Sequence, residues 1–195
     1  MVFIKKKVIK MNLKNLTGTL KNYYHRFTKS NIEYARHLGV EVGENCRIIS
    51  SPKFGSEPWL IKIGNKVTIT SGVRIITHDG ATWLVEDEKG RREFFARVEI
   101  GNNVFVGLNS IIMPGVKIEN NCIVAAGSVV TKSVPSGYIV GGNPARIIAK
   151  TDDYKDKVLK TYISKSEMDY SKPFKERILN VVSEEFKPFL KKKDI

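Results

Sequence analysis

Residues 100–130 read IGNNVFVGLNSIIMPGVKIENNCIVAAGSVV, and an aliphatic residue returns at every sixth position: Ile100, Val106, Ile112, Ile118, Val124 and Val130. Four residues after these leads stand small or β-branched side chains: Val104, Ser110, Val116, Cys122, Ser128 and, just beyond the stretch, Val134. Gly or another small residue commonly follows the lead, as in IGN at 100–102, VGL at 106–108 and VAA at 124–126. A six-residue unit is too short for a helix pair or a hairpin. It suits one side of a parallel β-solenoid: the lead points inward, the chain turns a corner, and stacked coils supply one another's backbone partners at about 4.8 Å.

The same rhythm runs upstream through Val42, Ile48 and Phe54, then Ile63, Ile69 and Ile75, with Cys46, Val67 and Val73 at the fourth following position. It breaks twice. Three extra residues fall between Phe54 and Ile63, where Pro58 and Trp59 suggest a small bulge. Between Ile75 and Ile100 a whole segment, residues 77–98, leaves the pattern. It is rich in charge, carries Trp83, Phe94 and Phe95, and opens with THDGATW, in which stands His78, one of three histidines. A loop of this length in a compact domain is usually functional or disordered.

The 195 residues allow one core domain with appendages. Hydrophobic content of 42% and charge of 27% are those of an ordinary folded chain. No run approaches the ~18 apolar residues of a membrane span. The opening MVFIKKKVIK lacks the ~7–15-residue apolar segment of a secretory signal, so the expected location is cytoplasmic. Cys46 and Cys122 are too few for a disulfide framework or a thiolate metal site, and no metal is expected. Both fall on the inward fourth position, where packing explains them. The net charge of +13 is uneven, with nine Lys/Arg against one acid in residues 1–39. Such an arm suits an anionic membrane face, a phosphorylated substrate or a solvated helix surface. Nucleic acid is not expected, since no recognition motif accompanies the charge.

The flanks read as helical. In SNIEYARHLG, Ser30 and Glu33 form a capping-box pattern and Gly39 a C-terminal stop. Leu13, Leu16, Leu20, Tyr23 or Tyr24, and Phe27 make an apolar stripe among lysines. Ile178, Val181, Val182, Phe186 and Phe189 make another, with Pro173 near its start. The expected organisation is a basic helical segment 1–39, a solenoid 40–150 with its loop 77–98 extruded, and a helical extension 151–195. Docking on the solenoid or on oligomer partners is the expected use of both stripes, with peripheral membrane contact the alternative for the first.

The run IGNNVFVGLNSIIMPGVKIENNCIVAAGSVVTKSV followed by PSGYIVGGNPARII resembles the hexapeptide-repeat acyltransferases, specifically the sugar O-acetyltransferase branch that modifies maltose, galactosides and capsular or O-antigen polysaccharides. The match covers about residues 40–150, and AAGSVVTK with GGNPAR is its most specific part. The resemblance implies a left-handed parallel β-helix of about four to five coils, an all-β solenoid core, and a homotrimer with active sites between subunits. It implies acetyl-CoA as the acyl donor and a carbohydrate acceptor: a sugar, a nucleotide-sugar or a lipid-linked oligosaccharide.

Acetyl transfer to a hydroxyl needs a base, because the hydroxyl is barely acidic; an imidazole, with an ordinary pKa of about 6.5, is mostly free base at pH 7. His78 stands where the family keeps its catalytic histidine. His25 and His37 lie in the N-terminal helical segment and are read as packing or surface residues. Asp79 either orients the imidazole or caps the turn with Gly80, and the turn is preferred because neighbours on an extended chain point opposite ways. Trp83 offers a flat face to a sugar ring or anchors the loop. The resemblance places an oxyanion donor at the Leu108 N–H, a cofactor contact at Gly107 just before it, and a channel-lining aromatic at Phe105, where the family commonly has Trp. It places the pantetheine arm along Ala126 and Gly127, and phosphate contacts at Thr131, Lys132 and Arg146. Two other readings compete: an N-acetyltransferase acting on an amino sugar or xenobiotic, and a non-catalytic binding solenoid. A γ-class carbonic anhydrase needs three histidine ligands, and only His78 lies in the solenoid.

Overall fold

The computed structural model describes residues 28–50 and 52–189. The apolar stripe from Leu13 to Phe27, residues 1–27 of the expected basic segment and His25 therefore lie outside the described residues. The chain divides after Asp152 into two compact units.

In the first unit, short strands stack into three parallel sheets. One contains Glu41–Val42, Ile61–Ile63, Val98–Ile100 and Lys117–Ile118. The second stacks Arg47–Ile48, Thr68–Ile69, Phe105–Val106, Ile123–Val124 and Tyr138–Gly142, and the third Lys53–Phe54, Arg74–Ile75, Ile111–Ile112 and Val129–Val130. Successive strands visit the sheets in turn, so the chain is a parallel β-helix. Every lead residue of the sequence rhythm except Val42, which is half-buried, lies in the core: Ile69, Val106, Ile112, Ile118 and Val124 are completely buried. Each such aliphatic side chain contributes roughly 1.5–3 kcal/mol by leaving water.

The strand register converts both breaks in rhythm into geometry. Ile100 pairs with Ile118, eighteen residues on. Val42 pairs with Ile63, twenty-one on, and Ile63 with Ile100, thirty-seven on. The surplus three and nineteen residues are thus expelled without disturbing the register. The first insertion forms a 3-10 turn at Pro58–Leu60. The second carries a 3-10 turn at Gly80–Leu84 and a small antiparallel hairpin of Glu86–Asp87 with Gly90–Arg91. The loop is shorter than its sequence limits: Thr77 is fully buried and Val98 already begins a strand.

One corner is held by an asparagine ladder. The Oδ1 of Asn65 accepts from the Glu44 N–H, that of Asn102 from Asn65, and that of Asn120 from Asn102, each at 2.7 Å. Asn45, Asn103 and Asn121 turn the same corner at φ of 57°, 55° and 57°, a left-handed conformation that Asn tolerates. The buried hydroxyls of Ser110 and Ser128 both donate to the Ala125 carbonyl, at 3.0 and 2.6 Å, so the two polar inward positions are satisfied. Cys122 is buried and Cys46 half-buried, and the Sγ of each lies near rung carbonyls.

The helix Asn31–Leu38 precedes the β-helix with the expected reciprocal capping box of Ser30 and Glu33, and Gly39 closes it in the left-handed conformation. At the other end, GGNPAR forms a hairpin between Tyr138–Gly142 and Ala145–Lys150. The second unit holds most of the helix Thr151–Thr161 and the short helix Phe174–Leu179, with Pro173 as its N-cap. Here the expected stripe fails: the helix ends at Leu179, and Phe186 and Phe189 are almost wholly exposed on non-helical chain. The β-branched pair Val181–Val182 disfavours continuation beyond this end, and Pro188 disfavours helix at Lys187 farther on.

Glycine at 64 is dictated by stacking, since a Cβ there would lie 2.6 Å from Asn102 Oδ1 and 2.7 Å from the Gly101 carbonyl. The Gly64→Ala variant is expected to lose about 1–3 kcal/mol in urea unfolding, because the backbone of the next rung has no flexible end to yield; a midpoint equal to the parent's would contradict this packing.

Candidate active site

The loop leaves the solenoid immediately after Thr77, and its two ends clasp each other. The Ala96 N–H donates to the Thr77 carbonyl at 2.8 Å, the Asp79 N–H to the Phe94 carbonyl at 3.1 Å, and His78 bridges Phe95 in antiparallel fashion. The Phe95 ring stands 6.1 Å from the imidazole, tilted by 55°. His78 is therefore fixed at the stem of the loop, its side chain about one-third exposed at 36%.

Its partner comes from the other insertion. His78 Nδ1 lies 3.0 Å from Glu57 Oε2, and the Thr77 hydroxyl donates to the same oxygen at 2.7 Å. Gly55 makes this approach possible, since a Cβ there would meet Thr77 Oγ1 at 2.6 Å. Glu57 is only 15% exposed. Burial raises its pKa, but the hydrogen bonds from Thr77 and His78, together with the imidazole's charge when protonated, outweigh that and hold the carboxyl below its ordinary 4.5. An ionised carboxylate only accepts, so Nδ1 carries the proton and Nε2 presents its lone pair. Glu57 was missed in sequence; the signal was an acid inside the three-residue break, legible only once a partner histidine is known.

The remaining candidates divide between two edges of the third sheet. Strands of the second sheet lead into it through the turns at 70–73, 107–110 and 125–128, which stack: the Asn109 N–H donates to the Ser71 carbonyl and the Gly127 N–H to the Leu108 carbonyl, at 3.0 and 2.7 Å. Leu108, Ala126 and Gly127 are exposed on this edge, with Phe105 on the strand before it. No hydrogen-bond acceptor is assigned to the Leu108 N–H among the described residues. A Cβ on Gly127 would meet nothing within 4 Å, so glycine there leaves the edge low. His78 emerges from the opposite edge, beyond Arg74–Ile75. One chain therefore sets the imidazole and the Leu108 turn at different corners.

Gly107, expected as a cofactor contact, has its side-chain position covered. It is buried, and a Cβ would lie 2.5 Å from the Ala126 nitrogen, so its place is under the next rung. Lys132 and Arg146, by contrast, converge on a groove of about 410 Å³ with Val130, Pro135 and Ile147 in its wall. Thr131 is exposed beside Lys132. Asp79 caps the turn Gly80–Leu84, its Oδ1 accepting from the Ala81 N–H at 2.9 Å. Trp83 is two-thirds exposed, and the Arg91 guanidinium covers its ring at 4.5 Å. His37 lies half-buried in the helix Asn31–Leu38. Among the described residues no three His, Cys, Asp or Glu side chains gather as a metal site, and no helix is long and apolar enough to cross a membrane.

Residues 97–132 match the family described as the hexapeptide repeat of succinyl-transferase. Protein CapG of Staphylococcus aureus is 46% identical over 156 residues, which span 78% of this chain and 91% of that protein. The chain belongs to the hexapeptide-repeat acyltransferases. Within the family, the galactoside O-acetyltransferase of Escherichia coli is 34% identical over 97 residues, about half of each chain. Among solved structures, a galactoside acetyltransferase in complex with coenzyme A superposes with a TM-score of 0.53 at 24% identity, covering 83% of this chain and 91% of that one. A hexapeptide-repeat acetyltransferase from Vibrio cholerae gives 0.55 at 22%, covering 71% and 90%. These two likenesses are of fold.

The depressed Glu57 pKa fixes the sign of a pH effect. A carboxyl whose folded pKa lies below its unfolded value stabilises above about pH 4.5, and that contribution is lost as pH falls through the folded value. Glu57→Gln should lower the melting temperature at pH 7 by about 2–4 °C, and the gap should narrow as scans are taken at pH values falling below 4.5 and through the folded pKa. A gap independent of pH would show that the carboxylate is not ionised in the folded state.

Proposed function

We propose that this chain is an acetyl-CoA-dependent O-acetyltransferase acting on a sugar hydroxyl, with His78 as general base. The carrying observation is the Glu57–His78 pair, which holds Nδ1 protonated and leaves Nε2 to take the hydroxyl proton. Glu57 is the positioning residue, stabilising the imidazolium that forms when the proton arrives. Acetyl-CoA, when bound, supplies an acetyl group activated as a thioester. The Leu108 N–H, to which no acceptor is assigned among the described residues, suits the negative charge that develops on the carbonyl oxygen. Lys132 and Arg146 fit the phosphates of coenzyme A, Arg by a planar fork and Lys as a mobile charge, with Thr131 beside them. Ala126 and Gly127 suit the pantetheine arm, and Phe105 its channel. The names of the galactoside acetyltransferases support the donor and the carbohydrate class.

The finer architecture belongs to the same proposal: a left-handed β-helix of four full coils and a partial fifth, assembled as a trimer. The separation of His78 from the Leu108 turn supports the trimer, because a neighbouring subunit would bring the two edges together. Capsule, O-antigen or exopolysaccharide biosynthesis in the cytoplasm is the proposed setting, with the stretch 1–27 as the segment that would touch a membrane surface.

His78→Asn should reduce kcat by about 10²–10⁴-fold in assays of thiol release from acetyl-CoA, and transfer at near-parent rates would remove His78 as the base. Glu57→Gln should cost at least about tenfold in kcat with little change in KM. Lys132→Ala and Arg146→Ala should instead raise KM for acetyl-CoA by about tenfold each, leaving kcat nearly alone; an unchanged KM in both would move the phosphates elsewhere.

A further inference from the structure

Below the Leu108 turn lies a second concavity of about 320 Å³, lined by Lys53, Gly72, Arg74, Asn109 and Ile111. Lys53 and Arg74 are register partners on adjacent rungs of the third sheet, so the two cationic side chains leave backbones about one strand spacing apart and line one groove. No carboxylate lines the groove, and neither cation takes part in an ion pair among the described residues. Two like charges that share a groove repel, and an anion between them relieves that repulsion. Gly72, at a φ of 73°, carries no side chain to fill the space, and a Cβ there would strike Asn109 Oδ1 at 1.9 Å. Asn109 follows Leu108 directly and stacks on Ser71, so the groove abuts the turn that holds the Leu108 N–H.

We propose that this groove is an anion subsite for the phosphoryl groups of the acceptor, making the acceptor a sugar carried on a phosphate or diphosphate rather than a free sugar. The proposal rests on the transferase reading above. The arrangement sets a length: the Gly72, Asn109 and Gly127 turns succeed one another at about 4.8 Å, so an anion held by Arg74 and Lys53 lies one to two rungs from the Leu108 N–H. That is the separation between a ring hydroxyl and the phosphate on the same sugar. A paired Arg and Lys matches a phosphate dianion or a diphosphate, the Arg fork taking two oxygens and the Lys a third. The groove is separate from the Lys132–Arg146 groove, which lies at the hairpin end of the β-helix.

The test is isothermal titration of the full chain with inorganic pyrophosphate under saturating coenzyme A, so that the Lys132–Arg146 groove is occupied. Arg74→Gln should weaken binding about tenfold or more, Lys53→Gln should weaken it less, and Arg74→Lys should restore part of it. Both side chains are exposed, and an unchanged melting temperature would establish that the variants fold. Equal affinity in the double variant and the parent would overturn the subsite, as would glucuronate binding as tightly as pyrophosphate. Displacement of pyrophosphate by UDP-glucose would assign a soluble nucleotide-linked acceptor. Arg74-dependent sedimentation with phosphatidylcholine vesicles containing farnesyl diphosphate would assign a lipid-linked one. Pyrophosphate binding that neither displaces would mean an adventitious ion only and would overturn the proposal. The two readings fail separately. Absence of thiol release from acetyl-CoA with every acceptor, while Arg74-dependent binding persists, sinks the transferase reading alone; transfer to a neutral galactoside in a chain that ignores pyrophosphate sinks the subsite alone.

Discussion

The structure depends on in-register stacking of parallel rungs. Each rung's backbone N–H groups are satisfied by carbonyls of a neighbouring rung, as Gly64 by Ile100, Gly101 by Ile118 and Gly107 by Val124. A slip of one residue would turn every inward Ile and Val toward water. Extra residues therefore cannot be absorbed within a coil. They must leave at one lattice point and return at the next, and for this reason the three- and nineteen-residue insertions appear as excursions from an undisturbed core.

That constraint also builds the candidate site. Both excursions depart from the same edge of the third sheet on adjacent rungs, after Lys53–Phe54 and after Arg74–Ile75, which are register partners. A carboxylate on the first and an imidazole on the second are thus brought within hydrogen-bond reach although they stand twenty-one residues apart. Rigid rungs hold the Glu57–Thr77–His78 group in place, and loop chain surrounds it. A base set in this way needs no rearrangement to keep its tautomer, which suits proton transfer in the proposed reaction.

The same logic places charge. The Lys53–Arg74 groove and the Lys132–Arg146 groove are each made by residues from different rungs or from rung and hairpin. Neither pair is adjacent in sequence. An overall charge of +13 told only that cations exceed acids; stacking decides which cations face a common space without an acid among them.

By itself the sequence determined the solenoid, its inward positions, the capped helix Asn31–Leu38 and the segment that leaves the core, because a period of six and a capping box are local patterns that survive without knowledge of neighbours. It also pointed to His78, which opens the longer break. It misjudged the stripe from Ile178 to Phe189, since apolar spacing does not outweigh β-branched residues. Only the tertiary structure decided that Glu57 partners His78 and that the imidazole and the Leu108 N–H occupy different edges of one chain. Those relations join residues separated by whole coils, and the register that joins them is a property of stacked rungs.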